Sequence, residues 1–219
     1  MIFKQLPAAV LWDMDGTLID SEPYWMKSEG AFAEANNSTW SEQDGLSLVG
    51  MSLYDSSKII KERVGSDLEP EQIIQQLTDE VTAQLKQKIL WRPGARELLL
   101  LLRKKKVKTA LVTMSMHRMA KQVVDSIGFD AFDVIVAGDD VRHGKPHPEP
   151  YLKAAELLGV QANQCVAFED SISGLRSAEA AGTKAVGIKN IVEIPVEPGR
   201  IIWPTLEGVT MSELRGLFK

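Results

Sequence analysis

Two carboxylates, Asp13 and Asp15, stand two positions apart where an apolar run ends. Residues 8–12 are apolar without alternation, which is typical of a strand buried on both faces of a parallel sheet. Gly16 follows, and glycine adopts the backbone angles of a sharp turn without steric cost. The pattern predicts both carboxylates at the carboxyl end of a central strand, where open α/β sheets bind ligands. Taken alone, however, Asp-x-Asp-Gly is equally typical of an ordinary turn.

Three later segments also carry polar side chains just past a predicted strand. These segments are 107–112 followed by Thr113 and Met114, 133–137 leading to Lys145, and 165–168 followed by Glu169 and Asp170. A hydroxyl, an ammonium group and an acidic pair would therefore join the first two carboxylates at one edge of the sheet. This convergence favours a functional site over an ordinary turn.

These residue types suit the chemistry of phosphate monoesters, which resist hydrolysis unless charge is neutralised and a nucleophile is aligned with the leaving oxygen. A carboxylate can form a covalent aspartyl-phosphate, and we assign this role to Asp13. Asp15 would protonate the leaving oxygen and then activate water. The crowded acids would repel one another without a cation, and an all-oxygen site suits Mg²⁺.

The same edge of the sheet offers groups that could hold the transferring phosphoryl group. Thr113 would bind it through its hydroxyl and Lys145 as a point charge. Backbone N–H groups of Met14, Asp15 and Met114 would complete the cradle.

In order and spacing, the four segments resemble the haloacid dehalogenase superfamily, in its branch of β-phosphoglucomutases and sugar phosphatases. The resemblance covers nearly the whole chain and implies the same roles for Asp13 and Asp15. It implies that the carboxylates of Asp13 and Asp170 and the backbone carbonyl of Asp15 bind Mg²⁺. Glu169, beside Asp170, could orient waters or the metal shell or bind the ion directly, and the first role is favoured. The family often carries a small or polar residue where this chain has Met114, so only the backbone contact is expected there.

The predicted fold class is α/β, with a three-layer Rossmann-like parallel sheet core and an inserted all-helical cap domain. The core comprises residues 1–19 and 92–219, and the cap comprises residues 20–91. Helical spacing of apolar residues predicts three cap helices, at 28–36, 53–64 and 71–90. In the rest of the chain, helices are predicted at 98–102, 118–127, 150–158, 172–181 and 212–218, a strand at 185–188, and a weakly specified segment at 194–203.

Substrate selection is expected in the cap. The stretch from Asp20 to Trp25 resembles bacterial hexose-phosphate phosphatases; Glu22 could accept hydrogen bonds from hydroxyls, and Trp25 could stack on a sugar or merely pack. Gly50 and Met51 lie in a turn that resembles the cap loop touching the leaving group. The mutase family has a His at the position of Trp25 and a phosphate-binding Arg at the position of Leu53, so these two residues favour hydrolysis over isomerisation.

Composition excludes several other classes of protein. The net charge of −5 argues against nucleic acid as the main partner. The chain has no apolar run of transmembrane length and no signal-peptide pattern at its start, which predicts no membrane partner and a cytoplasmic location. Its one cysteine, Cys165, allows no internal disulfide. We expect a monomer that acts on a small phosphorylated metabolite.

The three histidines are given subordinate roles. His143 and His147 flank Lys145 on a predicted exposed loop and are interpreted as solvated, and no His/Cys cluster has the spacing of a metal site. His117 lies near the predicted mouth of the site. The main functional hypothesis is therefore a Mg²⁺-dependent phosphatase. The alternatives are a β-phosphoglucomutase-like isomerase and a catalytically silent binding protein.

Overall fold

The computed structural model describes residues 6–218, in which six strands form one parallel sheet. The sheet order is β3-β2-β1-β4-β5-β6. The strands are β1 Ala9–Trp12, β2 Lys108–Val112, β3 Val134–Val136, β4 Cys165–Glu169, β5 Lys184–Ile188 and β6 Ile201–Trp203. Because β1 lies between β2 and β4, the residues that follow these three strands meet at one edge.

The helices fall into two groups along the chain. Four lie between β1 and α5: α1 Glu22–Ala35, α2 Glu42–Leu48, α3 Leu53–Val64 and α4 Pro70–Gln87. The others are α5 Ala95–Lys104, α6 His117–Ser126, α7 Glu149–Leu158, α8 Ile172–Ala180 and α9 Met211–Gly216. In the described part of the chain, no helix is both long enough and apolar enough to span a membrane.

Helices cover both faces of the sheet, as alternation along β1 shows. Val10 and Trp12 point into an apolar cluster that includes residues of α5 and α6. Ala9 and Leu11 point to the opposite face, into a cluster that includes residues of α7. Side chains of a strand alternate between faces, so an unbroken apolar run fits a strand buried on both sides. The predicted three-layer parallel sheet is confirmed.

The first four helices form an insertion whose two ends are hydrogen-bonded to each other. The backbone N–H of Asp20 donates to Leu90 O at 2.7 Å, and that of Arg92 donates to Leu18 O at 3.0 Å. These helices share a cluster of their own, separate from the two clusters on the sheet, formed by Phe32, Ala33, Leu48, Ile60, Val64, Ile73 and Leu77. The chain thus leaves and re-enters the sheet layer at one point.

Two elements differ from the sequence-based expectation. The seven-residue helix α2 was not predicted; it begins at a capping box between Ser41 and Asp44 and buries only Gly45 and Leu48. The segment 194–203, predicted as weakly specified, contains the edge strand β6. Both elements are short, and β6 is stabilised by its pairing with β5, so the local sequence pattern carries little signal for them.

Helix α1 begins six residues earlier than predicted, with Pro23 in its first turn, where proline is tolerated.

A buried acid in α1 generates a prediction about pH and stability. Glu29 is 6% exposed and accepts a hydrogen bond from Trp40 Nε1 at 3.1 Å. Burial raises the pKa of Glu29 from 4.5 to about 7, although the Trp40 hydrogen bond opposes this shift. The folded state therefore holds this proton more tightly than the unfolded state, and stability falls as pH rises from about 4.5 to about 7.

We expect Glu29→Gln to raise the free energy of unfolding at pH 8 by roughly 2 kcal/mol and to change it little at pH 4. The neutral amide can still accept the Trp40 hydrogen bond. Urea denaturation at the two pH values measures the difference. Glu34→Gln, at an exposed position of the same helix, is the matched control and should be nearly neutral at both. An identical response of the two variants would contradict the buried-acid interpretation.

Candidate active site

The four predicted segments meet at the carboxyl edge of the sheet. Asp13 follows β1, Thr113 follows β2, and Asp170 follows β4. Lys145 arrives on the loop before α7, and its side chain is only 5% exposed. The structure therefore brings together residues that are up to 157 positions apart in the sequence.

Lys145 is the centre of this arrangement. Its Nζ lies 2.7 Å from Asp13 Oδ1 and 2.6 Å from Glu169 Oε1, and it donates to Val112 O at 2.8 Å. An ammonium group has three hydrogens, so these contacts use its full donor capacity. Burial by itself would lower the pKa of Lys145, but the charges of Asp13 and Glu169 outweigh this and hold its pKa above the ordinary value.

Three carboxylates lie close together here, two of them in contact with Lys145. Asp13, Glu169 and Asp170 each offer one oxygen within 4.8 Å of the others. Burial, followed by repulsion from Glu169, raises the pKa of Asp13 to about 7. Burial and then repulsion from Asp13 raise the pKa of Asp170 to about 7 as well. A hard, oxygen-only donor set under mutual repulsion fits a divalent cation such as Mg²⁺.

Asp170 is oriented by two side chains that lie far from it in the sequence. Asn190 Nδ2 donates to Asp170 Oδ2 at 2.7 Å, and Thr17 Oγ1 donates to Oδ1 at 3.3 Å. Gly16, with φ of +81°, passes so close that a Cβ at this position would overlap the Asp170 carboxylate. Sequence reasoning missed Asn190; its position just after β5 was the only available signal.

Asp15 sits among hydroxyl groups. Ser21 Oγ donates to Asp15 Oδ1 at 2.6 Å, while Ser115 Oγ and Thr113 Oγ1 donate to Oδ2 at 2.7 and 3.2 Å. Ser21 precedes α1 but does not cap it with its side chain. Neither Ser21 nor Ser115 was singled out from the sequence. Thr113, assigned to the phosphoryl group, donates to Asp15 in this structure.

Glu169 is fully buried beneath Lys145. Its Oε1 accepts hydrogen bonds from both Lys145 and the hydroxyl of Tyr151, and its Oε2 accepts from Ser171 Oγ at 3.4 Å. Tyr151, also fully buried, is another residue that sequence reasoning missed. These contacts commit one oxygen of Glu169 to positioning Lys145.

Met114 contributes more than the expected backbone group. Its Sδ accepts a hydrogen bond from Lys145 N at 3.2 Å, so the thioether supports the loop that delivers the lysine. The sulfur also lies close to Gly144, where a Cβ would approach it to 2.8 Å. Met14, the other proposed phosphate-binding residue between the two aspartates, has a fully buried side chain in the sheet core.

The four candidate residues of the insertion lie in different surroundings from one another. Glu22 lies near the carboxylates: burial, then repulsion from Asp15, raises its pKa to about 8. Trp25 packs against both the main sheet cluster and the insertion cluster. Gly50 approaches the loop after β5, where a Cβ would lie 3.9 Å from Val192, and Met51 is 48% exposed.

His117 pairs with a nearby acid. Its Nδ1 lies 2.7 Å from Asp140 Oδ2, and its backbone N–H donates to Asp139 Oδ1 at 2.7 Å. These contacts anchor the start of α6.

This geometry agrees with comparisons to known proteins. Residues 7–182 match the family model of the haloacid dehalogenase-like hydrolases. The chain belongs to this family. It is 32% identical to the phosphorylated carbohydrates phosphatase of Thermotoga maritima, over 81% of this chain and 83% of that protein. The predicted class, a phosphoric monoester hydrolase of the haloacid dehalogenase type, is confirmed.

One further relative and one solved structure extend the comparison. Fructose-1-phosphate phosphatase YqaB of Escherichia coli (strain K12) is 30% identical, over 83% of this chain and 96% of that protein. The crystal structure of β-phosphoglucomutase from Clostridium difficile superposes with a TM-score of 0.79 at 21% identity, covering 98% of this chain and 97% of that one. The last similarity concerns the fold.

The packing of Glu169 generates a prediction about Gly174 in α8. A Cβ on Gly174 would overlap the Glu169 carboxylate, whereas one on Gly30, also inside a helix, would meet nothing within 4 Å. Gly174→Ala should therefore lower the free energy of unfolding by about 1–3 kcal/mol. Gly30→Ala, the matched control, should raise it by up to about 1 kcal/mol through helix propensity. Urea denaturation of both variants checks this, and a stabilising Gly174→Ala would contradict the described packing.

Proposed function

We propose that this hydrolase removes phosphate from small phosphorylated sugars or polyols, using Asp13 as a covalent nucleophile. The observation that carries the proposal is the junction of Asp13, Lys145 and Asp170 at one edge of the sheet. The names of two relatives, a phosphorylated carbohydrates phosphatase and a fructose-1-phosphate phosphatase, support a sugar phosphate as substrate.

In the first step, an oxygen of Asp13 attacks phosphorus and the bond to the leaving oxygen breaks. Asp15 donates a proton to that oxygen, so the sugar leaves as an alcohol. In the second step, Asp15 takes a proton from water, the water oxygen attacks phosphorus, and Asp13 and inorganic phosphate are released. The hydroxyls of Ser21 and Ser115 orient Asp15 before these transfers.

Lys145 has two roles in this scheme. It holds Asp13 in place through the 2.7 Å contact. Its positive charge would also attract the phosphoryl oxygens of a bound substrate while its three hydrogens stay bonded within the protein. The hydroxyl of Thr113 and the backbone N–H groups of Met14 and Met114 would hold the remaining oxygens.

The carboxylates of Asp13 and Asp170 and the backbone carbonyl of Asp15 would hold Mg²⁺, with Glu169 beside them. When bound, the ion neutralises charge on the acids and on the substrate phosphate. The hydrogen bond from Asn190 and the contact with Thr17 fix the direction of Asp170 toward this position.

We further propose that residues 20–91 act as a cap on the core formed by 1–19 and 92–219, and that the cap selects the substrate. Glu22 is a cap side chain that lies near Asp15 and Asp170, since after burial the repulsion from both acids contributes to its raised pKa. An acceptor at this position suits hydroxyl groups of a neutral sugar rather than a second phosphate. Gly50 and Met51 add no charge. We also propose that the enzyme is a monomer and acts in the cytoplasm.

A β-phosphoglucomutase-like isomerase is the second candidate, because the fold superposes on such an enzyme. Trp25 and Leu53 argue against it: Trp25 is packed between two apolar clusters and cannot transfer a proton, and Leu53 offers no donor to a distal phosphate. A catalytically silent protein is disfavoured by the complete set of reactive groups.

The relief of carboxylate repulsion predicts how Mg²⁺ affects stability. Mg²⁺ should raise the Tm of the wild type, and a concentration 100 times Kd corresponds to roughly 2.7 kcal/mol. In Asp170→Asn the Tm rise should largely disappear, and activity should be lost. Asp125→Asn, which alters an exposed acid paired with Lys121, should respond like the wild type. Differential scanning fluorimetry with Mg²⁺ or excess chelator measures this; full activity in chelator would exclude the proposed cation.

A phosphatase and a mutase would form different products, so the product distinguishes the two candidate functions. With β-glucose 1-phosphate, a bisphosphate primer and Mg²⁺, we expect negligible glucose 6-phosphate, while a panel of hexose and polyol phosphates releases inorganic phosphate. A coupled dehydrogenase assay and a colorimetric phosphate assay follow the two products in parallel. Isomerisation faster than phosphate release would favour the mutase, and neither activity would favour the silent protein.

A further inference from the structure

A second group of metal-ligating side chains lies outside the proposed reaction centre, on the loop that carries Lys145. His143, His147 and Glu149 each offer one ligand atom within 4.8 Å of the others. The two imidazole rings have centroids 4.7 Å apart with an interplanar angle of 38°. The sequence-based interpretation of these histidines as merely solvated did not foresee that the loop brings both to one carboxylate.

The separations are close to those of a coordinated ion. Glu149 Oε2 lies 2.9 Å from His143 Nδ1 and 4.0 Å from His147 Nδ1. In a tetrahedral zinc site with bonds of about 2.0–2.1 Å, neighbouring ligand atoms are about 3.3 Å apart. The two Glu149 separations differ from this spacing by less than about 1 Å, and a ligand atom of His143 lies within 4.8 Å of one of His147.

The groups of this site are also held in place by hydrogen bonds. Glu149 N donates to His147 Nδ1 at 3.2 Å, and this bond gives way when the nitrogen binds an ion. Backbone N–H groups of Arg142 and His143 fix the carboxylate at 2.8 and 3.1 Å, as outer-shell partners do in metal sites.

From these contacts we propose that His143, His147 and Glu149 form a binding site for a borderline transition-metal ion such as Zn²⁺. Two imidazoles with one carboxylate match the preference of zinc, whereas Mg²⁺ prefers oxygen ligands alone. On binding, the ion takes the place of the hydrogen bond between His143 Nδ1 and Glu149 Oε2, and the proton of that bond is released to solvent. The side chains of His143 and His147 are 64% and 52% exposed, so a water can complete the coordination.

The position of the site has a structural consequence. Lys145 stands midway between the two histidines, and its side chain reaches Asp13 and Glu169. An ion that joins residues on both sides of Lys145 braces the loop that delivers this lysine. The site is nevertheless separate from the acidic centre, because both of its histidines are exposed whereas Asp13 and Glu169 of that centre are buried.

The experiment uses the full chain in excess Mg²⁺, so that the oxygen-only centre is filled, and titrates Zn²⁺ by isothermal titration calorimetry. The variants are His143→Gln, His147→Gln and their double variant. His117→Gln is the matched control, since the chain has three histidines and His117 pairs with Asp140 elsewhere. Each single variant should weaken the histidine-dependent Zn²⁺ site by about tenfold or more. The double variant should lose it, and His117→Gln should keep it.

Thermal unfolding provides an independent readout. Zn²⁺ added in excess Mg²⁺ should raise the Tm of the wild type and of His117→Gln but not that of the double variant. If the double variant is unstable without zinc, His147→Gln alone decides, because its contact with Glu149 is the longer one. Equal Zn²⁺ stoichiometry and affinity in wild type and His147→Gln would overturn the proposal, as would loss of the site in His117→Gln. Both measurements are independent of hydrolysis.

Discussion

The buried ion pair of Lys145 with Asp13 and Glu169 is the interaction on which the rest of this site depends. Unpaired carboxylates in a dry environment take up protons, and a protonated Asp13 is a poor nucleophile. Lys145 opposes this by placing one charge between two acids, at 2.7 and 2.6 Å. Burial and then repulsion from Asp13 keep the pKa of Asp170 raised, at about 7, although the charge of Lys145 lowers it, and this residual repulsion fits a divalent cation beside the acids. The lysine and such a cation together would allow several acids to coexist in a small volume.

The order of the strands in the sheet makes this pairing possible. Strand β1 lies at the centre of the parallel sheet, so Asp13 has β2 and β4 on its two sides. Glu169, the last residue of β4, cannot move without disturbing the sheet, and Tyr151 from α7 fixes its carboxylate. Lys145 reaches the pair from a loop supported by Met114. The helical insertion begins and ends beside β1. Hydrogen bonds from Asp20 to Leu90 and from Arg92 to Leu18 join its two ends, so the insertion is held next to the same edge.

Much of this could be predicted from the sequence, because the main strands are unbroken apolar runs that end in polar residues. Asp13, Lys145 and Asp170 were identified in this way. The partners that orient them were not: Tyr151, Asn190 and Ser115 are ordinary polar residues until the fold brings them to an acid. The same limit applies to α2 and β6, which are short and stabilised by neighbours. For Trp25, which the sequence left open between stacking and packing, the structure shows packing contacts on both sides.

The central claim is that Asp13 receives the phosphoryl group and Asp15 handles protons, and a trapped intermediate tests it most directly. Acetyl phosphate has a leaving group that needs no general acid, so Asp15→Asn should still transfer its phosphoryl group to Asp13 but should hydrolyse the product slowly. Mass spectrometry of the acid-quenched protein with Mg²⁺ should find one phosphoryl group, on the peptide that contains Asp13. The Asp13→Asn/Asp15→Asn double variant should carry none, and Asp13→Asn alone should lose roughly three or more orders of magnitude in turnover. A phosphoryl group on another residue, or near wild-type turnover by Asp13→Asn, would contradict the account.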